Sequence, residues 1–247
     1  MIFDLPQRFG IFFQDPLTPI MNGIIDLHHG IFYFLLFILT MVLYVLCKIV
    51  KQSSLLWVDQ EEENVSLEHM RTFRKDILIL NKLVHGTFLE IIWTIIPAII
   101  LMFIAVPSFA LLYSIDEICD PQFTIKVIGN QWYWKYETPK DSFDSYMIPT
   151  NELIQGQRRL LQVDNPLILP IQTQLRFIIT AADVLHSFAW PAAGIKVDAV
   201  PGRLNQTAAL IQREGFSTGQ CSESCGVNHG FMPINIIAIN PETWINL

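Results

Sequence analysis

Residues 221–232, Cys221-Ser222-Glu223-Ser224-Cys225-Gly226-Val227-Asn228-His229-Gly230-Phe231-Met232, put two thiols, an imidazole and a thioether into one short segment. Thiolate, imidazole and thioether together suit copper, and a Cys-His-Met loop near the end of a β-sandwich builds a blue-copper site. Such a site takes a second histidine from a distant strand. His186, in AADVLHSF (181–188), is the only other histidine after residue 116, and it follows a strand-like run and precedes a Pro191 turn. The second cysteine changes the metal count. One thiolate with two histidines and a weak axial methionine makes a mononuclear centre, whereas two thiolates four residues apart can each bridge two coppers, with one histidine per copper. Cys2His2 is also a zinc set, but zinc leaves Met232 unexplained and favours small, separate lobes. The bland alternatives are a Cys221–Cys225 disulfide on an oxidising face, a surface His229, and Met232 as core filler.

Outward from this loop, residues 116–247 read as one β domain. The runs FTIKVIG (123–129), QWYWKYE (131–137), RLLQV (159–163), QLRFIIT (174–180), ALIQ (209–212) and INIIAI (234–239) are rich in branched and aromatic residues. Turn residues separate them, at Asp164-Asn165-Pro166, Pro201-Gly202, Glu214-Gly215 and Asn240-Pro241. This pattern predicts a sandwich or small barrel. In a strand, Trp132 and Trp134 would share one face and Tyr133 the other.

The first half is different. Residues 31–47, IFYFLLFILTMVLYVLC, carry no charge, and with Gly30 they give about 27 Å of helix against a hydrocarbon core of about 30 Å. Residues 91–115, IIWTIIPAIILMFIAVPSFALLYSI, are a second charge-free stretch. Pro97 and Pro107 would break a soluble helix, but proline is tolerated in membrane helices. We therefore expect an outer-side segment over 1–29, a first transmembrane helix over 30–50, an inner-side connector over 51–82, a second transmembrane helix over 83–115 and an outer-side domain over 116–247. Orientation comes from the flanks: Lys48, Lys51, Arg71, Arg74, Lys75 and Lys82 lie between the spans, against Arg8 alone before them and Asp116, Glu117 and Asp120 after them. Positive charge marks the side that stays inside. The 48–82 segment carries six acids against these six bases and reads as a solvated connector. The first twenty residues contain Asp4, Pro6, Asp15, Pro16 and Pro19 and no apolar run ending in a small-residue cleavage site, so insertion without a leader, or a mature form, is expected.

Composition closes off other classes. Hydrophobic residues make up 51% and charged residues 16% of the 247 residues, with a mean hydropathy of +0.38; globular chains average about 25% charged, which disfavours disorder and a purely soluble protein. A net charge of −7 disfavours a nucleic-acid partner, which requires a basic face. Four cysteines are too few for a disulfide scaffold. Cys47 and Cys119 read as bystanders, and His28, His29 and His85, which flank the spans, as interfacial residues. Glu90, at the inner end of the second span, is a functional candidate because a carboxylate at membrane depth is costly; the alternative is snorkelling to the interface.

The segment QCSESCGVNHGFMPI (220–234) resembles the binuclear copper loop of cytochrome c oxidase subunit II, of the mitochondrial type. The resemblance extends to TPIMNGIIDLHH (18–29), LEIIWTIIPAIILMFIAVPSFALLYSIDE (89–117), IGNQWYWKYE (128–137), FDSYMIP (143–149), TAADVLHSFAWP (180–191) and GIKVDAVPGRLNQ (194–206). The departures are a longer 53–81 segment between the spans, Asn130, Gly230 and Trp190; none removes a ligand. The resemblance implies a two-helix transmembrane hairpin followed by an all-β cupredoxin-like sandwich. It implies that Cys221 and Cys225 bridge two coppers, that His186 with Met232 completes one, and that His229 with the Glu223 backbone carbonyl completes the other. The Glu223 carboxylate would reach a magnesium shared with subunit I. Trp132 would receive the electron, Glu90 would stand at the mouth of a proton path, and Glu137, Asp164 and Asp183 would dock cytochrome c. The implied setting is the mitochondrial inner membrane, in contact with lipid and with subunits I and III, with both termini in the intermembrane space. Other classes are a membrane-tethered copper carrier or chaperone, which needs an open, labile site, a quinol oxidase subunit, which lacks the copper ligands, and a disulfide-stabilised receptor module.

Overall fold

The computed structural model describes residues 2–4, 6, 7, 9–58 and 85–246. The chain forms two compact units, Met1–Leu27 with Phe109–Leu247, and His28–Ser108. Residues 59–84, and with them most of the expected connector, lie outside the described residues.

The second unit is built from parts of two long helices, α1 (Pro19–Val58) and α2 (Thr87–Asp116). Their spans have mean hydropathies of 2.5 and 2.6, and neither hydropathic window is buried within the chain. Leu39, Leu46, Leu101, Phe103 and Val106 are more than half exposed. A helix apolar on all sides with no buried face is the signature of a membrane span and not of a soluble core helix. Thr94 returns its hydroxyl to the Glu90 carbonyl at 2.8 Å, the local satisfaction a hydroxyl finds inside a span. Helix α1 begins eleven residues before the span expected at 30. Hydropathy misses this stretch because Asn22, Asp26, His28 and His29 are polar. The local cause of the start is a cap: Thr18 Oγ1 accepts from the Met21 N–H at 3.1 Å, with Pro19 following.

The first unit is a two-sheet β-sandwich. One sheet runs in the order β5 (Leu167–Pro170), β11 (Pro233–Ile239), β10 (Gly215–Cys221), β7 (His186–Trp190), β8 (Ile195–Ala199), with β1 (Ile2–Asp4) added in parallel to β10. The other runs β4 (Ser142–Ser145), β3 (Tyr133–Glu137), β2 (Phe123–Asn130), β6 (Gln174–Ala181), β9 (Asn205–Leu210). Strict alternation in QLRFIITA buries Leu175, Phe177, Ile179 and Ala181, and β2 alternates likewise. These side chains meet Trp134, Tyr136, Phe188, Trp190, Ile234 and Ile236 in one core. Trp190 satisfies its buried indole N–H on Ser217 Oγ at 2.8 Å. A short α3 (Pro241–Ile245) closes the chain, capped by Asn240. The segment before α1 is strapped to the sandwich: the Leu17 N–H donates to the Ala192 carbonyl at 2.8 Å, Thr18 Oγ1 donates to the Ala193 carbonyl at 2.7 Å, and Leu17 is buried.

Two local expectations are corrected. RLLQV (159–163) is not a strand; it is a turn in which only Val163 makes an isolated bridge, to Met147, and Leu160 takes a φ of 66°. The left-handed turn at Leu160 breaks the extended run, so apolar residues alone do not make a strand here. Trp132 lies in the turn between β2 and β3 and not in a strand with Trp134, so the two rings are not placed by one alternation.

Gly219 sets how closely β10 can approach β7. A Cβ there would stand 2.0 Å from the Ala189 carbonyl oxygen, which is backbone and cannot yield. Gly219→Ala is therefore expected to lower the stability of the purified chain by about 3 kcal/mol or more, at the upper end of overpacking costs. Gly230→Ala, which meets nothing within 4 Å, should leave the thermal midpoint nearly unchanged. Equal midpoints for the two variants would show that the strand pair tolerates separation.

Candidate metal centre

Strands β7 and β10 are antiparallel neighbours with Cys221 opposite Phe188. His186, the first residue of β7, therefore lies just beyond the end of β10, where the chain leaves the sheet as the 222–232 loop. The Ser222 N–H donates to the Ser187 carbonyl at 3.0 Å and ties the loop to β7 at its root. A short 3-10 turn over His229–Phe231, closed by the Phe231 N–H on the Asn228 carbonyl at 2.9 Å, returns the chain to β11 and points Met232 inward.

The donors converge. The two thiols stand 3.9 Å apart, nearly twice a disulfide bond length, and both are free. His186 Nδ1 is 3.9 Å from Cys221 Sγ, His229 Nδ1 is 3.6 Å from Cys225 Sγ, Met232 Sδ is 3.6 Å from Cys225 Sγ, and the Glu223 carbonyl oxygen is 3.4 Å from Cys221 Sγ. The donor atoms of His186, Cys221 and Cys225 lie within 4.8 Å of one another. Donors about 2.0–2.3 Å from a shared ion stand roughly 3.3–3.8 Å apart at tetrahedral angles, so the separations fit ligands of common metals. Each thiol has its own imidazole. All six sequence-derived metal residues are thus brought together, with His186, Cys221, Cys225 and Met232 buried.

The electrostatics fit the same description. Burial pushes the Cys221 thiol up, but contacts with His186 and with the backbone at Ser187 and Glu223 outweigh it and bring it down to about 6. Cys225 goes the other way: burial and the charge of Cys221 beside it push it up to about 12. Two negative sulfurs this close repel, so ionising one opposes ionising the other; bound cations would favour the thiolate form of both. Burial lowers His186, but its bonds to Cys221 and Asp183 more than restore it and leave it raised.

Residues outside the donor set hold the site in place. Trp134, fully buried, donates its indole N–H to the Met232 carbonyl at 3.1 Å and meets the His186 ring edge-on at 6.0 Å. Gly129 gives the imidazole its room: a Cβ there would stand 2.9 Å from ring carbons. Gln131 Nε2 and Trp132 Nε1 both donate to the Cys225 carbonyl, at 2.9 and 3.2 Å. None of these supports was identified from sequence except Trp132, and no composition pattern marks them, since their roles depend on which strand ends meet.

The remaining candidate side chains supply no donor atom to the cluster. Trp132, with Tyr146, Met147, Asn228 and Phe231, lines a surface depression over the loop. Glu223 is half-buried. Glu137 pairs with Lys126 at 3.0 Å. Asp164 accepts from the Tyr146 and Asn165 backbone N–H groups at 2.8 and 2.6 Å. Asp183 accepts from His186 Nε2 at 2.9 Å. Glu90 is exposed in the first turn of α2, in a shallow depression with Thr87, Ile91, Thr94 and Ile95.

Residues 123–239 match the family model for the cytochrome C oxidase subunit II periplasmic domain, and residues 6–61 and 64–111 match that for its transmembrane domain. Cytochrome c oxidase subunit 2 of Arabidopsis thaliana is 51% identical over 255 residues, covering 98% of this chain and 91% of the relative. The mitochondrial cytochrome c oxidase subunit 2 of Vigna unguiculata is 51% identical over 256 residues, covering 98% of this chain and 63% of the relative. The crystal structure of the periplasmic domain of subunit II of cytochrome oxidase of Bradyrhizobium japonicum is 42% identical, covering 53% of this chain and 93% of that one, with a TM-score of 0.49. With half of its residues shared along almost its whole length, and with both its spans and its β domain matched, the chain belongs to the cytochrome c oxidase subunit II family.

Proposed function

We propose that this chain receives electrons from reduced cytochrome c at a binuclear copper centre and passes them to haem in subunit I, where oxygen is reduced to water with coupled proton pumping. As a member of its family it is a subunit of cytochrome c oxidase, an oxidoreductase. The observation that carries the copper reading is the pair of free thiols 3.9 Å apart, each with its own imidazole and with a buried thioether beside them. Cys221 and Cys225 would hold two coppers, which when bound would supply a one-electron carrier.

The chain's own residues do the rest. His186 and Met232 serve one metal position, and His229 and the Glu223 carbonyl serve the other. Burial of His186, Cys221, Cys225 and Met232 limits access of water to the set, which argues against a carrier that must release its metal. Trp132 receives the electron at the surface, and its hydrogen bond to the Cys225 carbonyl gives a short route into the loop. The Glu223 carboxylate would hold a magnesium together with subunit I. Glu90 would feed protons toward subunit I from the inner side.

The setting we propose is the mitochondrial inner membrane. The basic residues between the spans keep residues 51–82 on the matrix side, and residues 1–29 and 116–247 lie in the intermembrane space. Subunits I and III and lipid would cover the exposed faces of the two spans. The 116–247 segment carries nine basic against thirteen acidic residues, a net −4, and its field would steer a basic partner such as cytochrome c, with Glu137, Asp164 and Asp183 as docking acids.

Three outcomes test this reading. The oxidised protein should show electron-spin hyperfine splitting from two equivalent copper nuclei, and Cys221→Ser should abolish it; a single-nucleus pattern, or a native Cys221–Cys225 disulfide, would contradict the site. Trp132→Ala should slow first-order transfer within the docked cytochrome c complex at least about tenfold, roughly 1.4 kcal/mol of barrier, and change affinity less. Stopped-flow traces with weakened binding and normal transfer would leave Trp132 as packing. Glu90→Ala should slow turnover of the assembled oxidase while reduction of the copper centre by cytochrome c keeps its rate; unchanged turnover would favour snorkelling.

A further inference from the structure

The start of α1 is tied to the strand that carries His186. Strand β7 passes directly into a short 3-10 turn over Pro191–Ala193, and Gly194 ends that turn with a φ of 72°. Leu17 bonds on both sides, as an added strand residue would. Its N–H donates to the Ala192 carbonyl at 2.8 Å, and its carbonyl accepts from the Gln212 N–H at 2.9 Å. The hydroxyl of Thr18 has two partners as well. Its proton goes to the Ala193 carbonyl at 2.7 Å, and a lone pair takes the Met21 N–H at 3.1 Å. One side chain thus caps α1 and fastens it to the end of β7. Arg213 adds Nε on the Pro16 carbonyl and Nη2 on the Asp15 carbonyl, each at 3.3 Å.

The joint is closely packed. Leu17, Thr18, Met21, Ala192 and Ala193 are all buried. A Cβ at Gly194 would stand 3.2 Å from Met21 Cα and 3.0 Å from Ile24 Cδ1, so the first turns of α1 rest directly on this glycine. The positive φ and the close approach both call for glycine there. At Gly23 a Cβ would stand 3.0 Å from Leu111 Cδ1, which brings the C-terminal end of α2 against the same turns. Trp190, the last residue of β7, is held by its indole bond to Ser217. All of these residues belong to the first unit. His186 stands six residues before Ala192, at the other end of the same strand.

We propose that Thr18 and Gly194 are positioning residues for the second electron step, locking the head of α1 to β7 so that the copper centre keeps one setting toward the haem of subunit I. This rests on the copper reading of the site and on the transfer to subunit I given above. A domain that only had to stay near the membrane needs no more than a flexible linker. Here the joint is rigid, and it ends on the strand of a metal ligand and not on a distant loop. In the second step the one electron lost by the copper centre is gained by the haem. The rate falls steeply with separation, because the overlap of the two carriers decays with distance. A sandwich that rocks on its anchor therefore loses rate in this step. The first step is insensitive to rocking, because cytochrome c docks on the sandwich itself and moves with it. Misplacing reacting groups by about 1 Å can cost on the order of 100-fold in rate, so a shift of a few tenths of an ångström should cost about threefold.

The test uses the assembled oxidase with Thr18→Val, Thr18→Ser and Gly194→Ala. Three quantities are measured: the rate of copper reduction by docked cytochrome c, the rate of transfer from copper to haem, and the copper hyperfine pattern. Thr18→Val keeps the shape and loses both hydroxyl bonds, and Gly194→Ala pushes against Met21. Each should slow copper-to-haem transfer about threefold, with normal reduction by cytochrome c and an unchanged hyperfine pattern. Thr18→Ser keeps the hydroxyl and should transfer at the wild-type rate. The proposal is overturned if either Thr18→Val or Gly194→Ala transfers at the wild-type rate, even with a lowered thermal midpoint, since the joint would then only stabilise the fold. A changed hyperfine pattern would overturn it too, by placing the loss in the centre itself. Should one variant fail to assemble, the other decides. Should both fail, amide exchange in the wild-type oxidase decides. Leu17, Met21 and Gln212 N–H groups as protected as those of β7 would support a rigid joint, and faster exchange there would show that it opens alone and overturn the proposal. A wild-type oxidase without a two-copper signal would instead sink the functional reading.

Discussion

Two cysteine sulfurs stand 3.9 Å apart inside this protein, and as thiolates they would repel each other unless cations stood between them. The fold nevertheless holds them open and gives each one an imidazole. What makes this possible is the close contact of β7 and β10, where Gly219 lies against the Ala189 carbonyl and leaves no room for a side chain. That contact puts the end of β10, with Cys221, next to the start of β7, with His186. The loop then needs only one short turn to bring Cys225, His229 and Met232 back to the same place.

The support around the donors follows from the sandwich. The facing sheet contributes Gly129 and Trp134 from β2 and β3, so the His186 ring is enclosed by both layers. The β2–β3 turn contributes Gln131 and Trp132, which reach the Cys225 carbonyl. Trp132 therefore lies between a surface depression and the ligand loop, a place where an aromatic ring can serve electron transfer. The apolar stretches of the two long helices make up the described part of the second unit, and with neither hydropathic window buried they are suited to lipid or to other membrane proteins.

Much of this was legible in the sequence, for identifiable reasons. The spans stand out because charge is absent over more residues than a soluble helix needs to bury. Strands β2, β6 and β11 are visible because branched residues alternate or run continuously there. The metal residues are visible because rare side-chain types cluster in one short loop. Other parts depend on tertiary context. The first turns of α1 are polar and depend on the Thr18 cap, so hydropathy passes over them. Strand β10, GFSTGQC, has poor strand propensity because close approach demands small residues. RLLQV has apolar residues but turns at Leu160, and Trp132 sits beside a strand in sequence but occupies a turn. Nothing in the sequence says that the Asp183 oxygens accept from His186 and the Gln131 backbone.

The central claim is that this chain's donors form one site for two metals that share both thiols. Anomalous diffraction at the copper edge, on crystals of the copper-loaded protein, tests it most directly. The account predicts two resolved copper peaks, each in contact with both the Cys221 and Cys225 sulfurs, one beside His186 and the other beside His229. A single peak bound to one cysteine, or a covalent bond joining the two sulfurs with no metal beside them, would contradict it.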